Sequence, residues 1–388
     1  LARAAAVVGT GQTVCEHRRE DVNLPEMARE AAIRALEDAG MTPADIDAIV
    51  VGSASEVFEG INQPEQWIGP ALGAPGAPLM RVQTGSTAGA AATIAAFYHV
   101  ASGLFDVVLA VSYQKLSDGS PKCGLSAHND PLWDREFASG DYGLVGLQSR
   151  KYMARHEPRV REEHGAMVAV KNRKNALKNP YAQLREEITI DDVMRSAPIA
   201  SPIKLLDCGP SSSDGAAAMV IAEERRAKKM TSRPAWFAGV GTCSESPYAP
   251  HVDIAYPESC VRAAQLAYQM AWVYDPVREL DLAEVHDAFS FQELIWTEAL
   301  GLCNPGEGGK MVESGITAMG GEFPINPSGG VLSSNPVGAA AMVRQLEAAL
   351  QVMGKAGPHQ VPGVNKTLAH SWGGAIQFST VTIFSSRL

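Results

Sequence analysis

One pattern occurs twice along this chain and narrows its possible folds more than any other feature. An apolar run closing on a glycine–threonine pair, AVVGT (Ala6–Thr10), returns as WFAGVGT (Trp236–Thr242). Later in each half a polar turn opens a helix of very small residues, GSTAGAAATI from Gly85 and SNPVGAAAMV from Ser334. Apolar strands without period-2 alternation, separated by helices, belong to a parallel or mixed sheet buried on both faces. Two similar α/β halves imply a pseudo-two-fold fold with its site where the halves meet. A chain of 388 residues exceeds one ordinary core, and the repeat divides it into 1–233 and 234–388.

In the first half the patterns predict strands at Ala4–Gly9, Ile46–Val51, Leu79–Thr84, Asp106–Val111 and Ala216–Ile221. Helices are expected at Pro25–Ala39, with proline near its start and Gly40 just past its end, at Pro64–Leu72, and from about Ser86 toward Ser102. Residues 116–206 change in texture: long polar turns alternate with helices, one at Gly146–His156, which reads as an inserted loop domain over one end of the sheet. Between Arg150 and Lys178 it carries nine Lys/Arg, which means a solvated helical face or a docking surface for phosphates or an acidic partner. The second half reads as strand Trp236–Thr242, helix Ser259–Tyr274, strand Leu282–His286, helix Phe289–Leu300, helix Asn335–Leu350, and strands Thr367–Ser371 and Gln377–Phe384.

Composition closes off several function classes. A formal net charge of −10 disfavours nucleic acid as a partner, and no apolar run approaches the roughly 20 residues of a membrane span. The six cysteines lie far apart without a CxxC pair, which argues against a zinc site or a disulfide framework and for free thiols, and no metal site is expected. With a first stretch that reads as a strand, the expectation is a cytoplasmic protein.

Four stretches converge where such halves meet: the Ser86 turn, HDAF (His286–Phe289), SNPVGA (Ser334–Ala339) and AHSWGG (Ala369–Gly374). A hydroxyl at a buried helix start either caps the helix, as Ser86 or Thr87 would, or stands among free N–H groups as a nucleophile. These stretches, with the VGTG first strand, DGAAAMVI (Asp214–Ile221), EVHDAFS and NPSGG (Asn326–Gly330), resemble the thiolase superfamily, in particular its sterol-carrier or lipid-transfer type. The resemblance covers nearly the whole chain. It implies a thiolase fold: two βαβαβαββ halves in a five-layered α-β-α-β-α core, usually dimeric, with residues 116–206 as the loop domain.

The catalytic pattern departs from that family. The nucleophilic cysteine corresponds to Ser86, with Gly85 or Val82 as the alternatives under a shifted register. The activating histidine corresponds to Asn335, and the second cysteine to Ser371. His286 alone stays as the sterol-carrier type has it. A serine without a neighbouring base is a poor nucleophile, so the usual Claisen cycle is not expected. What remains suits a thioester enolate, with Asn335, His286 and backbone N–H groups holding the oxygen and Gly85, Gly373 and Gly374 cradling the coenzyme A ester. The resemblance implies no tightly bound cofactor, coenzyme A being part of the substrate.

Retro-aldol cleavage of a β-hydroxyacyl-CoA, in steroid side-chain or aromatic acid catabolism, is the leading expectation, with His286 as base. A cysteine-free thiolase or acyltransferase acting on a 3-oxoacyl-CoA through Ser86, and a non-catalytic acyl-CoA-binding subunit, are the alternatives. The related aldolases of steroid side-chain breakdown work with a small zinc-ribbon/OB-fold partner, but carry a tyrosine where this chain has His286. Further candidates are His128, Tyr113 and Trp133 near the substrate and His370 beside Ser371. Packing is expected of His99, and capping of the next helix by Asp287.

Overall fold

Local signals set the first elements, and the computed structural model describes residues 3–74, 76–127, 129–132, 140–248 and 251–388. His128 and Trp133 lie outside the described residues. Strand β1 (Ala5–Gln12) leads to α1 (Leu24–Ala39), whose start is held by a capping box between Asn23 and Glu26 and whose end turns at Gly40 with φ 67°. There follow β2 (Ala48–Gly52), α2 (Glu65–Ala71), β3 (Leu79–Val82), α3 (Ala88–Ala101) and β4 (Val107–Lys115). The loop domain carries α4 (Pro121–Ser126), α5 (Gly140–Arg155), α6 (Glu162–Ala176), α7 (Ile190–Arg195) and the hairpin β5 (Pro198–Ala200)–β6 (Ile203–Lys204), and β7 (Asp214–Glu223) closes the half. After α8 (Glu224–Met230) come β8 (Ala235–Ser244), α9 (Glu258–Ala271), α10 (Pro276–Glu279), β9 (Leu282–Glu284), α11 (Ser290–Ala299), α12 (Gly308–Glu313), α13 (Val337–Met353), β10 (Lys366–Gly373) and β11 (Phe378–Ser385).

The strands run in the order β3-β2-β4-β7-β1-β8-β11-β10-β9. β2 pairs in parallel with β3 and β4, whereas β7 is antiparallel to β4 and β1, so the sheet is mixed. The halves join through Ala6 opposite Trp236 and Val7 opposite Ala235. Three apolar clusters make the layers. One packs α1 on the first-half strands, one packs α9 and α11 on the second-half strands, and the third holds α3 and α13 between strands of both halves. This is the α-β-α-β-α core of the thiolase fold.

The repeated glycine motif has a packing cause. A Cβ at Gly9 or Gly11 would run into Ala35 and Ala31 of α1, and one at Gly239 or Gly241 into Ala267 and Ala263 of α9. Glycines two apart on one strand face thus let a helix lie directly on the sheet, once in each half. The small residues of α3 and α13 serve the middle layer. A Cβ at Gly89 would stand 2.8 Å from both the Gly338 oxygen and the Met342 nitrogen, so the two helices meet backbone to backbone.

Some boundaries differ from the sequence expectation, each for a tertiary reason. β4 continues to Lys115 because its polar end is internal: Gln114 Oε1 accepts from the N–H groups of Ala54 and Gly338, both at 3.1 Å. β9 stops at Glu284 because the Asn326 side chain takes the Val285 N–H at 2.7 Å, which leaves His286 in a turn. Beside β9 lies an isolated parallel bridge, Ala283 to Ile325. Pro324 and Pro327 flank that bridge and supply no N–H to extend it. The basic run is partly internal. Lys171 pairs with Glu293 at 2.7 Å and Arg155 with Asp253 at 2.7 Å, which ties the loop domain to the second half.

Candidate active site

The turn before α3 is built by its own backbone and by the closing loop opposite. Gly85 takes φ 60°, and the Thr87 hydroxyl donates back to the Thr84 oxygen at 2.6 Å. The helix therefore starts two residues after Ser86, with Thr87 as its N-cap residue. A Cβ on Gly85 would sit 2.9 Å from the Gly374 nitrogen, and one on Gly373 would sit 2.7 Å from the Thr87 nitrogen. Gly85, Gly373 and Gly374 thus let two backbones touch. Among the described residues the half-buried Ser86 hydroxyl has no hydrogen-bond partner.

Asn335 stands in the matching place before α13, whose N-cap residue is Pro336. Its own N–H donates to Ser213 Oγ at 3.1 Å, which pins the backbone. His286 is fixed differently: its carbonyl oxygen accepts from the indole nitrogens of Trp296 and Trp372, each at 3.0 Å. Its Nδ1 is enclosed without a partner among the described residues. Burial, reinforced by His370 and Arg344, holds this imidazole well below its ordinary pKa, so it is neutral at pH 7.

Ser86, His286 and Asn335 line one cavity of about 50 Å³, together with Trp372, Asp141 and Tyr142. Apolar side chains such as Phe58, Phe289 and Val337 form much of the remaining wall. Ser371 does not reach it: it lies one residue from Trp372 on β10, and its hydroxyl bonds Thr380 Oγ1 at 2.6 Å across the ladder. Period-2 alternation explains this, since a strand sends adjacent side chains to opposite faces. His370 is a buried histidine 5.0 Å from the Trp296 ring, pushed down to about 3 by burial. Tyr113 is buried in the first-half core, and His99 bonds the Ala95 oxygen at 2.7 Å. Asp287 does not cap α11. Its carboxylate takes the Val331 N–H at 2.7 Å and the Asn172 amide at 2.6 Å, which ties the NPSGG loop to α6.

Asp141 and Tyr142 escaped the sequence reading because they lie in the loop domain, outside any motif. Trp372 was within reach of the alternation argument. A larger concavity of about 1230 Å³ lies between Arg3, Trp272 and Leu388 and shares no lining residue with this cavity. It lacks the convergence of helix starts and buried polar groups that marks a reaction site. None of the six cysteines is among the described residues lining the small cavity, and burial pushes Cys15 and Cys208 up to about 12. The chemistry on offer is hydrogen-bond donation from neutral groups beside a half-buried hydroxyl.

Residues 5–225 match the thiolase N-terminal domain family, and residues 242–386 match the thiolase C-terminal domain-like family. An acetyl-CoA acetyltransferase of Methanothermobacter thermautotrophicus is 34% identical over 99% of this chain and 100% of its own length. Sterol carrier protein 2 of Bos taurus is 31% identical over 95% of this chain and 69% of its own length. The solved Ltp2-ChsH2(DUF35) aldolase superposes with a TM-score of 0.85 at 25% identity, covering 100% of this chain and 99% of that one. A monomeric SCP2-thiolase-like protein of Mycobacterium smegmatis, at 19% identity and a TM-score of 0.74 over 100% of this chain and 78% of that one, shares the fold. With both halves matched, the VGTG strand, HDAF and the small-residue helices acquire one explanation: the chain belongs to the thiolase superfamily, to its sterol-carrier-protein type.

Proposed function

We propose that this chain is a carbon–carbon lyase that cleaves a β-hydroxyacyl-CoA by a retro-aldol route. The observation that carries the reading is the cavity, which holds neutral His286, Asn335 and Ser86 and no thiol among its described lining residues. The thioester oxygen would lie in the cavity that His286 and Asn335 both line. Because the enclosed Nδ1 has no partner, the tautomer with its proton on Nε2 is the less costly one, and it presents a donor. A neutral imidazole of lowered pKa is a better hydrogen-bond donor to a developing enolate than a base.

In the reaction the β-hydroxyl loses its proton and the Cα–Cβ pair moves into the thioester as an enolate. The former carbinol leaves as a ketone or aldehyde, and protonation at Cα completes a shortened acyl-CoA. No acyl-enzyme forms, which suits a serine without a base. Likeness to the Ltp2-ChsH2(DUF35) aldolase supports this reading. A homodimer, and a small zinc-ribbon/OB-fold partner, belong to the same proposal.

A second reading rests on the 34% identity to an acetyl-CoA acetyltransferase: acyl transfer through Ser86. Mass spectrometry of the protein after incubation with acyl-CoA esters separates the two. Release of a carbonyl product and a shorter acyl-CoA from an unmodified chain is expected. An acyl adduct on Ser86 refutes the lyase and supports transfer, and binding without turnover refutes both in favour of a binding subunit.

A further inference from the structure

The retro-aldol route needs a group that takes one proton and returns one, and the residues named above do not provide it. His286 is too weak a base at pH 7, because burial holds its imidazole well below the ordinary range. Asn335 and the Ser86 hydroxyl do not titrate near neutrality. Tyr142, on the same wall, is raised above its ordinary value by burial, and the Cys208 thiol and the Asp141 carboxylate beside it push the same way. Of the described titratable groups on the cavity, one is left.

Asp141 is the second residue of α5, in the loop domain that covers the halves. It lines the cavity with Ser86, His286 and Asn335. Among the described residues its carboxyl has no hydrogen bond and no ion pair, although nearby polar side chains of the same domain are engaged. Asp141 is half-buried on a cavity whose other walls include the apolar Phe58, Phe289 and Val337, and a carboxylate partly withdrawn from water there has no described partner to offset its desolvation. The same burial brings it up to about 7, where a carboxyl can both accept and donate a proton at neutral pH.

We propose that Asp141 is the acid–base residue of this site, taking the β-hydroxyl proton as the Cα–Cβ bond breaks and delivering that proton to Cα of the enolate. The proposal rests on the lyase reading. The books of protons and electrons balance within it: the O–H pair becomes the second bond of the new carbonyl, the Cα–Cβ pair becomes the enolate, and Asp141 ends as the carboxylate with which it began. His286 and Asn335 hold the oxygen while this happens, so the donors and the base stand on different elements, the second half and the loop domain.

The closing step can be watched by itself, run backwards. In D2O a chain that forms the enolate exchanges the α-protons of acetyl-CoA or propionyl-CoA for deuterium, with no second substrate. The wild-type chain should exchange one or both esters, and Asp141→Asn should slow that exchange roughly 10²- to 10⁴-fold while calorimetric binding of the same ester changes less than about 3-fold. Asp141→Ala should be partly restored by added formate, a response that a merely structural carboxylate would not give. Exchange by Asp141→Asn within about 3-fold of wild type overturns the role of Asp141 and leaves the lyase standing. Absence of exchange in the wild type, together with absence of carbonyl release from β-hydroxyacyl-CoA esters, overturns the lyase and Asp141 with it.

Discussion

Replacing Gly89 by alanine adds one methyl group where α3 crosses α13. The new Cβ would sit 2.8 Å from the Gly338 oxygen and from the Met342 nitrogen, 0.6 Å short of the 3.4 Å at which ordinary contact begins. Both obstacles are backbone atoms of a helix buried on nearly every side, so no side chain can swing away. The helices must part locally, and overpacking of this kind costs about 1–3 kcal/mol. Against it stands the usual gain of alanine over glycine, about 0.4–1 kcal/mol through the unfolded state. The net expectation is a loss of about 1–2 kcal/mol. With an unfolding entropy of about 2.1 cal/mol/K per residue, a chain of this length should melt about 1–3 °C lower, a shift that differential scanning calorimetry resolves. The same parting separates Ser86, at the start of α3, from Asn335, at the start of α13. Displacements near 1 Å cost up to about 10²-fold in rate, so deuterium exchange into acetyl-CoA should fall by about 10- to 100-fold. A Gly89→Ala chain that melts above wild type would refute the backbone crossing, because alanine would then show only its intrinsic advantage.

Other perturbations test the frame and the site separately. Lys171→Met leaves Glu293 buried beside Asp287 without its cation and should cost about 3–5 kcal/mol, read as faster amide exchange in α6 and earlier proteolysis of the loop domain. His359 and Glu347 meet at 2.7 Å in the core; burial opposes both charges, yet each partner holds the other's, so His359 is raised above 6.5 and Glu347 lowered below 4.5. The His359 contribution is therefore full below about pH 6.5 and lost as pH rises through its raised value, while that of Glu347 is full above about pH 4.5 and lost as pH falls through its lowered value. Melting curves across pH should show the wild-type advantage over Glu347→Gln shrinking on the alkaline side, and an advantage that grows there would contradict the pairing. Ser86→Cys combined with Asn335→His places a thiol and an imidazole on the cavity wall, and should yield an acyl-cysteine adduct with acetyl-CoA that the parent chain does not form.

How much of this was legible in the sequence depended on where each signal lived. α1 was readable to within one residue because Pro25 near its start and Gly40 just past its end act locally. The start of α3 was not, because the turn at Gly85 to Thr87 is shaped by Gly373 and Gly374, nearly three hundred residues away in sequence. β4 read as ending at Val111, since Ser112, Gln114 and Lys115 look like surface residues, whereas all three are buried and Ser112 and Gln114 bond backbone across the middle layer. Motif order was enough to bring Ser86, His286 and Asn335 to mind together, and they line one cavity. Asp141 gave no such signal: a single acidic residue at a loop-domain helix start looks like any other first-turn carboxylate. Ser371 matched the family by position, but its neighbour Trp372 is the residue whose side chain faces the cavity.

The crossing of α3 and α13 has an effect beyond packing. The contact lies in the first turn of each helix, so Ser86 and Asn335, each three residues ahead of the touching glycine, sit just outside two locked helix starts and are half-buried rather than part of the core. Stability is decided at the contact, at Gly89, Gly338 and Met342, and reactivity ahead of it. Substitutions at Ser86 or Asn335 should therefore alter reactivity with little effect on folding. In this chain a serine and an asparagine stand before the two locked helix starts, and Asp141 reaches the same cavity from the loop domain.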